Sequence, residues 1–404
     1  SWVDVTNPQI PTLDQIPDAA RAELARFIEE RRSQVAAIGG PVTEAVSHLE
    51  SFVLGGGKRI RPLYAWAGFV GGGGLETDED PAAVLRAAAS LEFIQACALI
   101  HDDIIDASDT RRGNPTVHRI VEKHHRDAGW AGEPAHFGES VAILVGDLAL
   151  VWAEDMLQDS GLSVAALQRA REPWRAMRTE VIGGQLLDIS LEATGDENIE
   201  LADSVNRFKT AAYTIERPLH LGAAIAGADQ ATIDAFRGYG RDIGIAFQLR
   251  DDELGVYGDP EVTGKPAGDD LREGKRTVLL ATALQRADKR DPAAAAELRR
   301  GIGTTSDPAE IARLAQIIAE TGAVEALEER ISALIQEEIL NLSMLGFAPV
   351  GSDASAPIDV SKLSGATVKF GATVTFEDAE TGDSQRLVIV GRIKPSVVPK
   401  VSDG

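Results

Sequence analysis

Two short acidic clusters, Asp102-Asp103-Ile104-Ile105-Asp106 and Asp251-Asp252-Glu253-Leu254-Gly255, each close an apolar stretch of helical spacing. From residue 84 to residue 101 the only charged side chains are Arg86 and Glu92, so the first cluster ends a segment suited to burial. Buried carboxylates need cations beside them. On a helix, residues three and four apart share a face. That sets Asp102 over Asp106 with Asp103 beside them, the outline of a platform of hard oxygen donors for Mg²⁺. In the second cluster Gln248 falls one turn before Asp251 and Asp252, but the position one turn after Asp251 is Gly255, which offers no ligand. Metal on this side falls to Asp251, with Asp252 or water filling in.

Three basic, glycine-bearing segments accompany the acids: Gly55-Gly56-Gly57-Lys58-Arg59-Ile60-Arg61-Pro62, Asp109-Thr110-Arg111-Arg112-Gly113, and a loop over residues 264–277 that carries Lys265 and Lys275. Backbone N–H groups exposed by glycine, with Lys and Arg side chains, hold phosphate oxygens. Alone, Gly-Gly-Gly-Lys is more often a turn with a surface lysine, and a run of Asp more often a solvated face. Paired with the acidic platforms, the basic segments read as a second anion site.

The elements that must position these groups are helical for most of the chain. Apolar periodicity covers residues 18–38, 84–106, 141–159, 164–191, 201–226, 231–257, 277–287 and 308–344, with short Gly or Pro breaks. The 404 residues have room for one large domain and a small one, and 44% hydrophobic content supports a sizeable core. An all-α domain over residues 1–345 is expected, then a Gly/Ser/Ala/Pro linker over 346–357 and a β-rich segment over 358–404. In that last segment residues 368–370, 372–376 and 386–393 read as strands. No charge-free apolar stretch reaches membrane-helix length and no signal pattern opens the chain, so a cytoplasmic protein without membrane insertion is expected. The single cysteine, Cys97, excludes an internal disulfide and reads as a small core residue. A formal charge of −23 argues against nucleic-acid binding.

Gly56-Gly57-Lys58-Arg59-Ile60-Arg61-Pro62, the first Asp cluster with Arg111-Arg112-Gly113, Gly184-Gln185-Leu186-Leu187-Asp188, Lys209-Thr210, Gln248 with Asp251-Asp252, and the 264–275 loop stand in this order along the chain. Taken together they resemble the trans-isoprenyl diphosphate synthases of the polyprenyl synthetase family, over roughly residues 45–342. The resemblance implies an all-α bundle around a central cavity, a homodimer, and about three Mg²⁺ per site between the two Asp motifs, with Mn²⁺ as a substitute. It further implies that Asp102, Asp103, Asp106 and Asp251, with Asp252, bind the metal that holds an allylic diphosphate, and that Arg111, Lys209 and Lys265 hold the same diphosphate. The partner substrate, isopentenyl diphosphate, is expected on Lys58, Arg61 and Arg112, with Gln95 where many members carry His. Thr210 and Gln248 are expected near the carbocation.

The implied chemistry is ionisation of the allylic diphosphate, carbon–carbon bond formation with isopentenyl diphosphate, and loss of a proton to the departing pyrophosphate. Small residues at Cys97 and Ala98, five and four before Asp102, leave room for a long product, and geranylgeranyl diphosphate is expected ahead of a longer polyprenyl chain. A terpene cyclase needs no second diphosphate site, whereas a non-catalytic subunit of a heteromeric synthase has lost one acidic motif, to which Gly255 is relevant. From Asp359 to Phe376 the tail resembles the start of the C-terminal domain of Gre-type transcript-cleavage factors. It is expected to be a truncated fusion, the competing reading being an RNA-polymerase-binding module.

Overall fold

Proline and acidic residues set where several helices begin. Pro81, Pro134, Pro292 and Pro308 each take the first helical position, and the preceding Asp80, Glu133, Asp291 and Asp307 accept hydrogen bonds from backbone N–H groups of the first turn. Proline has no N–H to leave unsatisfied there, and the carboxylate caps one that would be. The structure, a computed structural model, describes the backbone of residues 10–263, 266–344, 347–350, 363–369, 373–378 and 384–392, and the side chains of 10–261 and 266–337. The chain divides into two units, residues 1–173 with 218–229, and 174–217 with 230–404.

The first unit is built from helices Ile16–Ile38, Gly40–Leu54, Ile60–Gly71, Pro81–Ala89, Leu91–Ile105, Val117–Asp127 and Pro134–Gln158. Phe27, Phe93 and Trp152, one from each of three helices, pack at its centre with ring centroids 5.4, 5.8 and 6.1 Å apart, within the favoured range for tilted and edge-on aromatic pairs. The continuous helix expected over 84–106 breaks at Ser90, whose hydroxyl donates to Ala87 O at 2.6 Å. A side chain that bonds its own backbone competes with the helical ladder. Together these helices, Pro81–Ile105, are long and apolar enough to span a bilayer, but 72% of the apolar window is buried inside the protein. Between the Asp cluster and the Val117–Asp127 helix runs a two-stranded hairpin that pairs Thr110 with Pro115 and Arg111 with Asn114. Its turn residues Arg112 and Gly113 both have positive φ, 52° and 77°, as a twisted two-residue hairpin turn requires.

The second unit takes residues 174–194 of the Val164–Thr194 helix, which runs through Pro173, and includes helices Ile199–Val205, Asn206–Glu216, Gln230–Tyr257, Val278–Arg290, Pro292–Gly301, Pro308–Glu320 and Ala323–Met344. Leu249, Leu279, Leu298, Ile318 and Leu327 lie in its buried core. The expected single helix over 308–344 is two, parted at Gly322, whose φ of 79° favours glycine. Asn206–Glu216 is a π-helix, wider than an α-helix, and it carries Lys209 and Thr210. Its width is accommodated by glycines opposite it: a Cβ at Gly184 would lie 2.4 Å from Lys209 N, one at Gly240 2.4 Å from Glu216 Cα, and one at Gly244 2.5 Å from Ala211 Cβ.

Strands Phe347–Val350, Leu363–Lys369, Thr373–Asp378 and Ser384–Arg392 form one antiparallel sheet in which the first pairs with the fourth, the fourth with the third, and the third with the second. The first strand falls where a linker was expected. Of the three strands expected in the tail, 368–370, 372–376 and 386–393, residues 370, 372 and 393 lie outside the described residues.

Candidate active site

Residues 53–61 leave the Gly40–Leu54 helix, cross three successive glycines and enter the Ile60–Gly71 helix. Against them the Leu91–Ile105 helix presents Glu92 and Gln95, and the hairpin turn presents Arg112. The result is a pocket of 590 Å³ whose polar lining includes Lys58, Arg59, Arg61, Glu92, Gln95 and Arg112. All four residues expected to hold isopentenyl diphosphate, Lys58, Arg61, Gln95 and Arg112, therefore meet at one cavity. Arg112 Nη1 donates to Gly56 O at 2.5 Å, so the turn is tied to the glycine loop. Glu92 is a residue the sequence reading passed over. Its Oε1 is buried with no hydrogen-bond partner. Burial pushes the carboxyl above its usual range, and the charges of Arg61, Arg59 and Arg112 oppose that shift.

One turn beyond the pocket, the Leu91–Ile105 helix ends in the first Asp cluster, and Asp106 caps it with its N–H on Asp102 O at 2.8 Å. The three acids are not equivalent. Asp103 is 2% exposed, and its two oxygens accept from Arg111 Nε at 3.0 Å each and from Arg111 Nη2 at 2.7 Å. Asp102 lies farther from that guanidinium, at 4.0 Å. Arg111, expected to hold a diphosphate, thus forks onto a buried carboxylate, a geometry that fixes both groups. Immediately after Asp106 the backbone turns left-handed at Ala107, φ 51°. Ala107, Arg59 and Arg112 are the non-glycine residues with positive φ among the described residues, and all three border these sites. Strain of that kind collects where surrounding structure holds a functional group in place. Cys97 lines neither cluster as a nucleophile, since burial pushes its thiol up to about 11.

In the second unit, Lys209 Nζ lies 2.5 Å from Asp188 Oδ2, so the acid of the Gly184–Asp188 motif is the partner that holds the lysine. Thr210 follows on the same π-helical turn. Gln248 Nε2 donates to Asp252 Oδ1 at 3.2 Å, one helical turn on. Asp252 is 4% exposed, its Oδ2 has no hydrogen-bond partner, and burial together with the charges of Asp270 and Asp251 pushes its carboxyl up to about 7 although Gln248 stabilises the charged form. Asp251 is exposed. The missing acid at Gly255 has a counterpart: a Cβ at Gly255 would fall 1.9 Å from Asp270 Oδ2, so the Asp270 carboxylate fills the space that a side chain at 255 would need. Lys275 Nζ stands 3.5 Å from Asp270 and 3.4 Å from Glu273. Lys265 lies outside the described residues. The doublet Asp269-Asp270 and the lone Glu92 in an apolar run were the signals in the sequence for the two missed acids.

Among the described residues, no three His, Cys, Asp or Glu side chains gather tightly enough to cage an ion unaided. The donors are nevertheless of the right kind. They are all oxygens, one of them a buried orphan at Asp252, and Mg²⁺ is commonly held by one or two carboxylates with substrate phosphates completing the shell.

The polyprenyl synthetase family model matches residues 43–320. A geranylfarnesyl diphosphate synthase of Aeropyrum pernix is 37% identical over 283 residues, which is 69% of this chain and 80% of the relative. A (2E,6E)-farnesyl diphosphate synthase of Mycobacterium tuberculosis is 34% identical over 266 residues, 65% of this chain and 67% of the relative. Among solved structures, geranylgeranyl pyrophosphate synthase from Corynebacterium glutamicum, complexed with isoprenyl diphosphate and magnesium, superposes with a TM-score of 0.78 at 62% identity, covering 87% of this chain and 96% of that one. A polyprenyl synthase from Caulobacter crescentus CB15, complexed with calcium and isoprenyl diphosphate, gives 0.62 at 29% identity over 82% and 92%.

Proposed function

Because the chain belongs to the polyprenyl synthetase family, and is therefore a trans-prenyltransferase with the all-α isoprenoid synthase fold, we propose that it condenses isopentenyl diphosphate with an allylic diphosphate and releases geranylgeranyl diphosphate. The single observation that carries this reading is the 590 Å³ pocket in which Lys58, Arg61, Gln95 and Arg112 converge without an acidic metal platform. A basic pocket of that kind suits a diphosphate that is bound but not cleaved, which is what the homoallylic partner needs. Support for the product comes from the Corynebacterium protein's name at 62% identity, and from the small Cys97 and Ala98 on the helix leading to Asp102. Relatives at 34–37% identity carry farnesyl and geranylfarnesyl names, so chain length is the finer point at issue.

The residues divide the chemistry. Asp102 and Asp106 in the first unit, and Asp251 and Asp252 in the second, are the groups that would hold Mg²⁺, and the ion would supply neutralisation of charge on the leaving diphosphate. Asp103 holds the Arg111 guanidinium in place through Nε and Nη2, and the charge fixed there would act on the diphosphate. Lys209, held by Asp188, and Lys265 add positive charge as the allylic C–O bond breaks. The Thr210 hydroxyl and Gln248 amide oxygen present partial negative charge toward the cation. The double bond of isopentenyl diphosphate supplies the electron pair for the new C–C bond, and the proton lost in re-forming an alkene passes to the pyrophosphate. A homodimer fits the exposed apolar residues Ile143, Leu144 and Val151 on the Pro134–Gln158 helix.

The test is incubation with Mg²⁺, isopentenyl diphosphate and dimethylallyl, geranyl or farnesyl diphosphate in turn, followed by mass measurement of the products. A common twenty-carbon diphosphate from all three primers is expected. A product of fifteen or twenty-five carbons overturns the chain length, and no extension of any primer overturns the function.

A further inference from the structure

The glycine loop of the basic pocket has no means of its own to hold a shape. Gly55, Gly56 and Gly57 are consecutive, and glycine gives the unfolded and loosely folded backbone more freedom than any other residue. Yet Lys58, which the pocket needs at a fixed position, hangs directly from this loop, and Arg61 stands in the first turn of the helix the loop enters. The structure supplies an external clasp. Arg59, 7% exposed, turns its guanidinium back beneath the loop, where Nη2 donates to Val53 O and to Gly55 O, each at 3.1 Å, and Nη1 reaches Gly57 O at 3.4 Å. Three carbonyls spread over five residues are thus gathered by one planar fork. To make this reach, Arg59 adopts a left-handed backbone, φ 47°, which an L side chain adopts only when its surroundings hold it there. Arg112 takes the remaining carbonyl, that of Gly56, from a second left-handed position.

Burying a guanidinium among other cations needs a counter-charge. Glu92 lines the same pocket, is the one acidic residue in the apolar run that leads to the Asp cluster, and bears electrostatically on Arg59, Arg61 and Arg112. Its Oε1 and Arg59 Nε are both buried without hydrogen-bond partners, so this polar cluster keeps hydrogen-bonding capacity beyond what the protein itself satisfies.

We propose that Arg59 and Glu92 are positioning residues of the isopentenyl diphosphate site: Arg59 clasps the glycine loop through its carbonyls so that Lys58 and Arg61 face the diphosphate, and Glu92 is the buried counter-charge that keeps Arg59 and Arg61 seated. Neither residue contacts the reacting carbons. The inference rests on the reading of the pocket as the homoallylic site and adds the device that shapes it. The role of Arg59 lies in its forked geometry and not in its charge, because lysine carries the same charge but cannot span three carbonyls.

Arg59→Lys is therefore the discriminating variant. Steady-state kinetics of the full chain with Mg²⁺ are expected to show KM for isopentenyl diphosphate raised about tenfold or more, with KM for farnesyl diphosphate within about twofold and kcat reduced far less than kcat/KM for isopentenyl diphosphate. Glu92→Gln is expected to shift the same KM in the same direction, and the Arg59→Lys/Glu92→Gln pair to be less than additive, as for residues that serve one arrangement. If Arg59→Lys does not fold, the Glu92→Gln selectivity alone decides. An unchanged KM for isopentenyl diphosphate in a folded variant, or an equal loss for both substrates, overturns the inference. Lys58→Ala is the control for the underlying reading: if it too leaves that KM unchanged, the pocket is not the homoallylic site, whereas a raised KM there with a silent Arg59→Lys sinks only the clasp.

Discussion

At the level of single residues, the first Asp cluster is a division of labour. Asp103 spends both oxygens on Arg111 in a nearly buried pair, while Asp102 and Asp106 lie one turn apart at the helix end. Asp102→Asn and Asp106→Asn are expected to lower kcat by about 10²–10³ and to raise the Mg²⁺ needed for half-maximal rate, as for loss of charge stabilisation in the transition state. Asp103→Asn should also remove most turnover, but it alone should lower stability, by roughly 3 kcal/mol, since breaking a buried pair strands the arginine. Kinetics against Mg²⁺ together with urea unfolding of the three variants separate the two roles. A second residue effect concerns His118, 1% exposed with neither ring nitrogen hydrogen-bonded. Burial, aided by Arg119, lowers its pKa below 6.5 against the opposing charges of Asp103, Glu139 and Glu122. A depressed folded pKa favours the neutral ring, so its contribution is present above the unfolded pKa and is lost as pH falls through the folded one. Unfolding free energy is expected to decline below about pH 6.5, by at most about 1.4 kcal/mol per unit for this one proton, and His118→Phe should flatten that part of the profile. Denaturant titrations from pH 7.5 to 5 check it, and an unchanged slope in the variant assigns the effect elsewhere.

At the level of elements, the helix that carries the second acidic cluster is shaped by what presses against it. Asp270 fills the space beside Gly255, so restoring an acid at 255 cannot simply restore a ligand. Gly255→Asp is expected to lower turnover at least tenfold, through a like-charge clash and displacement of the Asp270 loop, and Gly255→Asp with Asp270→Ala should recover part of it. Kinetics of the two variants side by side decide the matter; a fully active single variant would show the loop to be indifferent. This contact also marks the limit of what the residues alone disclosed. The long helices were legible because their apolar faces repeat at helical spacing, and the pocket residues Lys58, Arg61, Gln95 and Arg112 because their motifs stand in order. Asp188, Glu92 and Asp270 gained roles only through tertiary contacts with Lys209, the arginine cluster and Gly255, which no local period encodes. The π-helical turn at Lys209–Thr210 was equally hidden, since what admits it is a set of glycines distant in sequence. Helices Gly40–Leu54 and Val117–Asp127 lay outside the periodic stretches read from the sequence, although both carry buried residues at helical spacing: Val46, Leu49 and Val53 in one, Val117, Val121 and His125 in the other.

On the scale of the whole molecule, every residue assigned to chemistry lies between Lys58 and Lys275, inside the 43–320 span of the family match, and the tail sheet lies outside it. Cutting the chain after Gly351 is expected to leave turnover per folded molecule within about twofold, while the soluble yield falls because Phe347–Val350 loses its partner Ser384–Arg392 and keeps an open edge. Kinetics on the soluble fraction test this, and a large drop in turnover would give the tail a part in the active site. On the proposed function, two diphosphates would be held by different physics: one by the basic pocket of lysine and arginines, the other by carboxylates that need a cation between them and the phosphate. Calorimetric titration of isopentenyl diphosphate and of an unreactive allylic thiodiphosphate, each in EDTA and in Mg²⁺, tests that partition most directly. Isopentenyl diphosphate should bind in EDTA with nearly the affinity it has in Mg²⁺, and the allylic analogue should bind only when Mg²⁺ is present. Equal metal dependence for both ligands, or metal-independent binding of the allylic analogue, would contradict the account.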